Sequence, residues 1–560
     1  MPGRRILYEK RRRWFFWGND TEQPVKYNRL QSHTDLVRSF LFSADHLDYA
    51  VTYPGKVGQI EESQGEAFAE YLSSTIRTSA IVHQFADALL WALIYDSMFL
   101  KMGWSDTRDC LTCKIIDPHS IGVWDEGEGE FSDQIAFCHT YALPWRNAAE
   151  RLIRAGRKRD IKRLGVDDTS RDQTFPPVMN SILISSTGSG VGGPLIGNAR
   201  TDVEQYPTYR SESHFPQVKF TELWVWDDEA KDYCSFTMAD PDIVVSDSRE
   251  TIRAMAALTP AKYASWGEST NIFLPGEHPF VPITPYPIYD YFWGEAHTER
   301  LIPLQRWTTQ RLDQIADKLD QDSDPSKVFS GFTGLSDEKA ANFGGPGAWI
   351  EDQNPSAKAE LLRPDIPPEL FAEFNEIGKL FNEASGLTET IMGQGSQNVR
   401  SKDQAKQLAA TGSGRIRKTA LGLEASLSRL GDLASKLIAR NDDTTLETSQ
   451  GFPFLAGQMA PDFVTAVSGH SHSPLFASDT KELAAALFKA SAIDKEALLR
   501  LMRPPNVEHL VKKLREMEQK QAMQGQGAPG TKEQAERQRS HHHPKGDIKA
   551  PGGGQSEMGS

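Results

Sequence analysis

The chain has 560 residues, a formal charge of −14, 39% apolar residues and 25% charged residues. That length exceeds one ordinary core, so several domains or layers are expected, and the acidic balance excludes wholesale coating of nucleic acid while leaving room for a local basic patch. Four cysteines exclude a disulfide scaffold and fit a reducing compartment, and the most apolar run, Ala88–Tyr95, is too short for a bilayer and is flanked by Asp87 and Asp96, so the reading is of a soluble intracellular product with no membrane partner.

The N-terminal stretch carries Arg4, Arg5 and the run Lys10–Arg13, followed by Trp14–Trp17. It lacks a continuous apolar segment and a small-residue cleavage site, which excludes a secretory signal. As a charge run it reads most simply as a disordered, solvated arm. An anchor for a neighbouring subunit, a capsid or packaged DNA is the functional alternative. Over 64–96, Phe68, Tyr71, Leu72, Ile76, Ile81, Phe85, Leu89 and Leu93 recur near a 3.6 period and predict helix. The runs "SMFLKMGWSD" and "CLTCKIIDPHSIGVWDEG" then alternate and read as strands with an Asp-Pro turn. A charged helix is expected at about 145–165, and two more strands over 216–247.

Residues 278–295 read "HPFVPITPYPIYDYFWGE", with four prolines in one β-like run. Proline has no N–H for a ladder and pushes the preceding residue toward extended geometry, so the run must be an edge strand or a departing arm. A helix follows with Leu301, Leu304, Thr308, Leu312, Ile315 and Leu319 on one face, and Pro303 is expected to kink it or mark its true start. Residues 323–366 are rich in Gly, Pro and Asp, with short apolar pieces that include Phe329, Phe332, Trp349 and Ile350. They read as a small β-rich module. A second helix opens at Pro367-Pro368 with the face Leu370, Phe374, Ile377, Phe381 and Ala384, suited to antiparallel packing on the first. The loop "GQGSQNVRSKDQ" (393–404) and the break "TGSG" precede the most regular helix, where Ile416, Ala420, Leu423, Leu427, Leu430, Ala434 and Leu437 step by four and three. Residues 415–440 would span about 40 Å. Beyond about residue 523 the chain is polar and low in apolar residues, and is expected to be disordered.

Motifs for chemistry are weak. Gly188, Gly190 and Gly193 spell G-x-G-x-x-G, but no helical period follows to set an N-terminus at a pyrophosphate, so a flexible surface loop is the expectation. There is no phosphate-binding lysine motif for ATP hydrolysis. Cys110 and Cys113 lack a second Cys/His pair at zinc spacing, and two strand cysteines are the better reading. His470, His472 and His541–His543 lie in Gly, Ser and Pro contexts and read as solvated. No nucleophile–base pair or supported carboxylate pair is found, so no catalytic residue, metal site or cofactor is assigned and an enzyme is not expected.

The order of these pieces resembles the portal proteins of tailed bacteriophages, the head-to-tail connectors. The resemblance runs over roughly 60–510: wing-like strands with the Asp-Pro turn, the proline strand "PFVPITPYP" with the step Tyr291–Gly294, two helices around a small module, a polar loop before a long helix, and "ELAAALFKASAIDKEALLRLMRPP". It implies an α+β subunit with an arm and start of wing (1–60), wing (61–290), first stem helix (291–322), clip (323–365), second stem helix (366–390), tunnel loop (391–402), long helix and wing return (403–470), helical crown (471–522) and tail (523–560). It implies a ring, usually of twelve copies, at one capsid vertex of the virion, assembled in the host cytoplasm, through which double-stranded DNA is packaged, retained and ejected. The implied partners are terminase, head-completion adaptor and tail proteins, major capsid and scaffold proteins, and non-specific double-stranded DNA. Gln394, Gln397, Asn398, Arg400 and Lys402 would form the channel loop. Leu423, Leu427, Leu430 and Leu437 would face assembly contacts or the wing, and Phe329, Phe332, Trp349 and Ile350 would belong to the clip. Another multi-helical virion scaffold, or an adaptor without a channel, is the competing reading.

Overall fold

The chain opens with α1 (Pro2–Trp17), α2 (Arg29–Leu41), β1 (Tyr49–Thr52), α3 (Gln59–Thr78) and α4 (Ile81–Tyr95). The computed structural model describes residues 2–19, 27–43, 47–53, 58–105, 107–164, 217–240, 242–258, 271–323, 326–333, 336, 340, 354–362, 367–387, 413–448, 451–459, 463–470, 472–502 and, except for 512 and 515, 510–517. The fold is mixed helix and sheet. The helix expected over 64–96 is two helices, because Ser79 is extended (φ −86°, ψ 164°) and its hydroxyl accepts the Ile81 N–H at 3.4 Å, starting α4 afresh.

The strands β2 (Met98–Ser105), β3 (Cys110–Ile116), β4 (Ile121–Val123) and β5 (Ala136–Pro144) follow. The Asp-Pro turn is as expected: Asp117 accepts the His119 N–H, and Pro118 opens a single 3-10 turn. α5 (Trp145–Arg154) is shorter than expected. Gly156 turns the chain left-handed (φ 74°), and only a 3-10 segment, Lys158–Arg163, continues. β6 (Gln217–Asp227), β7 (Asp232–Ala239) and β8 (Ile243–Asp247) give three strands where two were expected, with a turn at Asp240 after Ala239. Then come α6 (Ser248–Leu258), β9 (Phe280–Ile283), α7 (His297–Ser323), β10 (Ser326–Ser330), β11 (Lys358–Leu362), α8 (Pro368–Ser385), α9 (Gly414–Asn441), β12 (Thr445–Glu447), β13 (Pro453–Leu455), β14 (Val464–Val467), α10 (Pro474–Lys489) and α11 (Lys495–Met502).

Two sheets organise the first compact unit, Met1–Phe476. One is the antiparallel five-strand meander β4-β5-β6-β7-β8, and the other is the three-stranded sheet β3-β2-β9. Between them lies an aromatic core: Phe99 and Phe280 from the small sheet meet Phe137, Trp224 and Tyr233 from the large one, with Phe131 at the centre. The edge-to-face pair Phe131–Phe137 has centroids 4.8 Å apart, a geometry worth about 0.5–1.5 kcal/mol beyond area burial. Outside the large sheet, α5 seats Ala148 and Leu152 on Val218 and Phe220. The main apolar core packs α1–α4 and α9 against the small sheet. The second unit, Ala477–Ser560, holds the helical residues up to Lys489 and α11.

Candidate functional site

The proline run forms the outer strand of the three-stranded sheet. Among the described residues β9 pairs only with β2, Met98 opposite Ile283 and Phe99 opposite Pro282, so the missing N–H of Pro282 falls on an edge. The chain then leaves the sheet and closes on itself where the Glu295 N–H bonds the Tyr286 carbonyl at 2.8 Å. Gly294 donates its N–H to Ser97 Oγ at 3.0 Å. A side chain is excluded there: a Cβ would stand 2.5 Å from Thr284 Cγ2, 2.8 Å from the Tyr286 carbonyl and 3.0 Å from the Asp96 carbonyl. Phe292 and Trp293 enter the aromatic core, and Trp293 Nε1 donates to Glu126 at 2.9 Å. This junction fixes the root of α7. His297, fully buried and stacked on Tyr286, has its pKa lowered to about 3 by desolvation and stays neutral.

The basic N-terminal stretch corrects the expectation of a solvated arm. It is a helix, and Tyr8, Trp14 and Phe15 are buried. Arg11 is buried with them: it donates to the Tyr95 carbonyl, to Asp96 at 3.2 Å and, through Nε, to Glu299 of α7 at 2.6 Å. Tyr8 donates to the other oxygen of Asp96 at 2.8 Å. Asp96 holds φ at 148°, a region that costs a residue with a side chain about 1–3 kcal/mol and persists where surroundings over-determine it. Burial raises its carboxyl to about 6, against the opposing pull of Tyr8 and Arg11. The signal was present in the sequence, since positions 8, 11, 14 and 15 share a helical face, but an arginine on that face disguised it.

α7 and α8 pack antiparallel, as expected. Trp307 Nε1 and Arg311 both donate to Glu373, at 3.0 and 2.8 Å. Pro303 lies within α7, which begins at His297 rather than at 291 and runs through the proline. The apolar stripe changes character along the pair. Leu301, Ile377 and Phe381 are buried at the body end, whereas Leu319 and Phe371 are each 48% exposed toward the far end. That end is acidic, with Asp313, Asp317, Asp320 and Asp322 on α7 and Glu369 on α8, all exposed. An open cleft of about 460 Å³ lies between the two helices, lined by Gln314, Asp317, Lys318, Glu369 and Glu373 together with Pro367 and Leu370. Beyond it, β10 and β11 form a two-stranded ribbon, Ser326 opposite Leu362 and Ser330 opposite Lys358. Phe329 and Phe332 sit edge to face at 5.6 Å; Trp349 and Ile350 lie outside the described residues.

α9 carries the expected stripe. Leu423, Leu427, Leu430 and Leu437 are between 0 and 3% exposed within this single chain. They belong to its own core, so they present no free face to a neighbour. Tyr49 crosses the helix, donating its hydroxyl to the Leu427 carbonyl at 3.1 Å and laying its ring where Gly431 has no side chain. A clamp that sequence reasoning missed lies on another side of α9: Glu277 pairs with both Arg429 and Lys436, and Arg440 donates to the Phe273 carbonyl. The same turn is tied to the large sheet, because Asn271 Nδ2 donates to Asp232 at 3.1 Å. The segment that feeds β9 is thus bolted to both sheet and helix.

The channel-loop candidates Gln394, Gln397, Asn398, Arg400 and Lys402 lie outside the described residues, as do the glycines at 188–193 and His541–His543. Cys110 is exposed and Cys113 buried, since three residues along a strand place them on opposite faces, and burial pushes the Cys113 thiol up to about 12. Among the described residues no cluster of three or more His, Cys, Asp or Glu is arranged to hold a metal, and no helix is long and apolar enough to cross a membrane. His472 corrects the solvated reading: it is fully buried and donates from Nε2 to the Ala420 carbonyl at 2.9 Å. The sequence matches no protein-family model, and no curated protein matches it.

Proposed function

We propose that the chain is the subunit of a portal ring that passes double-stranded DNA at a capsid vertex. The observation that carries the reading is the antiparallel pair α7 and α8. It is rooted through Gly294 in a proline edge strand, bears a small ribbon at its far end and keeps apolar residues exposed there. A helix pair with an unsatisfied apolar stripe calls for neighbours, and repeated head-to-tail contacts that close give a ring. The acidic far end of the pair supports a lumen that does not grip phosphate, because a basic wall would bind DNA strongly through counterion release. On this reading, the ribbon meets terminase during packaging and the head-completion adaptor afterwards, and the reaction is translocation without chemistry on this chain. Electron-microscopic class averages of the purified protein test it. A ring with a central hole is expected; a monomer or compact dimer at every concentration overturns it and leaves the scaffold or adaptor reading.

A further inference from the structure

The five-stranded sheet has two poles of opposite charge. At the start of β5, Trp124 and Ile135 are 74% and 64% exposed, among the carboxylates of Asp125, Glu128, Glu130 and Asp133. The Trp124 N–H bonds the Ala136 carbonyl, which seats this patch on the first residue of the strand. At the other end of β5, α5 begins directly at Trp145, and its outer face exposes Ile153 (51%) beside Arg146 and Arg154. Nine strand residues separate the two patches, roughly 30 Å. Each patch is therefore an exposed tryptophan and isoleucine among charges of one prevailing sign, with Glu150 of α5 paired to Arg146 at 3.5 Å, and the prevailing signs are opposite.

We infer that these poles form one heterologous contact between copies of this chain, the acidic pole of one subunit seated on the α5 face of the next. Charge complementarity selects the occupant. Like poles repel, so a two-fold arrangement that brought the same pole to itself is disfavoured, whereas head-to-tail pairing matches sign and buries the apolar residues of both sides. A polyanion such as DNA would satisfy the arginines but offers nothing to Trp145 and Ile153, and the chain's net charge of −14 opposes its approach. The inference rests on the ring reading and adds the surface that closes it.

The test is charge reversal with exchange, read as mass distribution of the full chain at low and moderate salt. Glu128→Lys with Glu130→Lys makes one variant, and Arg146→Glu with Arg154→Glu the other. Each alone should lower the assembled fraction roughly ten-fold or more, since juxtaposed like charges cost several kcal/mol. Mixing the two variants should restore assembly by strict alternation, because every contact between unlike variants is then opposite in sign, and combining all four changes in one chain should restore it as well. Unaltered assembly in both variants overturns the inference while the ring reading stands. A wild-type chain that never assembles sinks the ring reading itself. Loss of DNA retention with assembly intact would assign α5 to a polyanion, which also overturns the inference.

Discussion

Asp96 concentrates strain, charge and burial in one residue. Its carboxyl binds a proton more tightly in the folded chain, at about 6, than an unfolded aspartate does at about 3.9. The protonated form thus favours folding, a contribution fully present below about pH 4 and lost as the pH rises through 6. Asp96→Asn keeps an acceptor for Tyr8 and removes the titration. The wild type should lose roughly 2 kcal/mol relative to this variant between pH 4 and 7, measured as urea unfolding across that range; parallel pH curves would refute the assignment. Gly294 gives a second residue-scale outcome. Because two carbonyls and a threonine methyl stand within 3.0 Å of the absent Cβ, Gly294→Ala should cost about 1–3 kcal/mol by overpacking. An unchanged melting temperature would mean that the junction is looser than drawn. The glycine was legible in the sequence as the end of an aromatic step, but its reason was not, since Asp96 and Ser97 arrive from nearly 200 residues away.

At the scale of elements, legibility followed periodicity. The stripe of α9 and the alternating strands of the large sheet were readable because each buries one face with a regular step. The α1 helix was not, because its buried stripe includes Arg11, whose partners Asp96 and Glu299 no local pattern displays. Strand pairing was equally hidden, as β9 finds β2 across the whole large sheet. The stripe of α9 makes its own prediction. Leu427→Ala should cost about 2–5 kcal/mol by removing atoms from a closed core, and Leu427→Asp should unfold the first unit rather than merely prevent assembly, as circular dichroism of the unassembled chain will show. A well-folded Leu427→Asp monomer would place this leucine outside the core. The ribbon should behave oppositely. Among the described residues β10 and β11 pair only with each other, so replacing 326–362 by a short Gly/Ser bridge should leave the melting of the first unit unchanged while abolishing packaging. Packaging by the shortened chain would disprove the clip assignment.

For the whole molecule, the portal reading makes the loop around Gln397 and Arg400 a constriction lined by one copy per subunit. Deleting Ser396–Val399 should leave assembly intact and lower the DNA content of mature particles, by impaired late packaging or retention; particles as full and as stable as wild type would show that the loop does not hold the genome. The pairing of β1 with β14 has a consequence of another kind. Tyr49 lies opposite Val467 and Thr52 opposite Val464, 412 positions further on. The strand that β1 pairs with therefore emerges only when nearly the entire first unit has left the ribosome. At 5–20 residues per second, that interval is roughly 20–80 s. For that time the surfaces of α2 and α3 that α9 will cover remain bare, so the period of greatest exposure to misassociation falls during synthesis. Chains released before residue 467 should accumulate as aggregates or be degraded, and nascent-chain occupancy by holding chaperones should end only after β14 emerges.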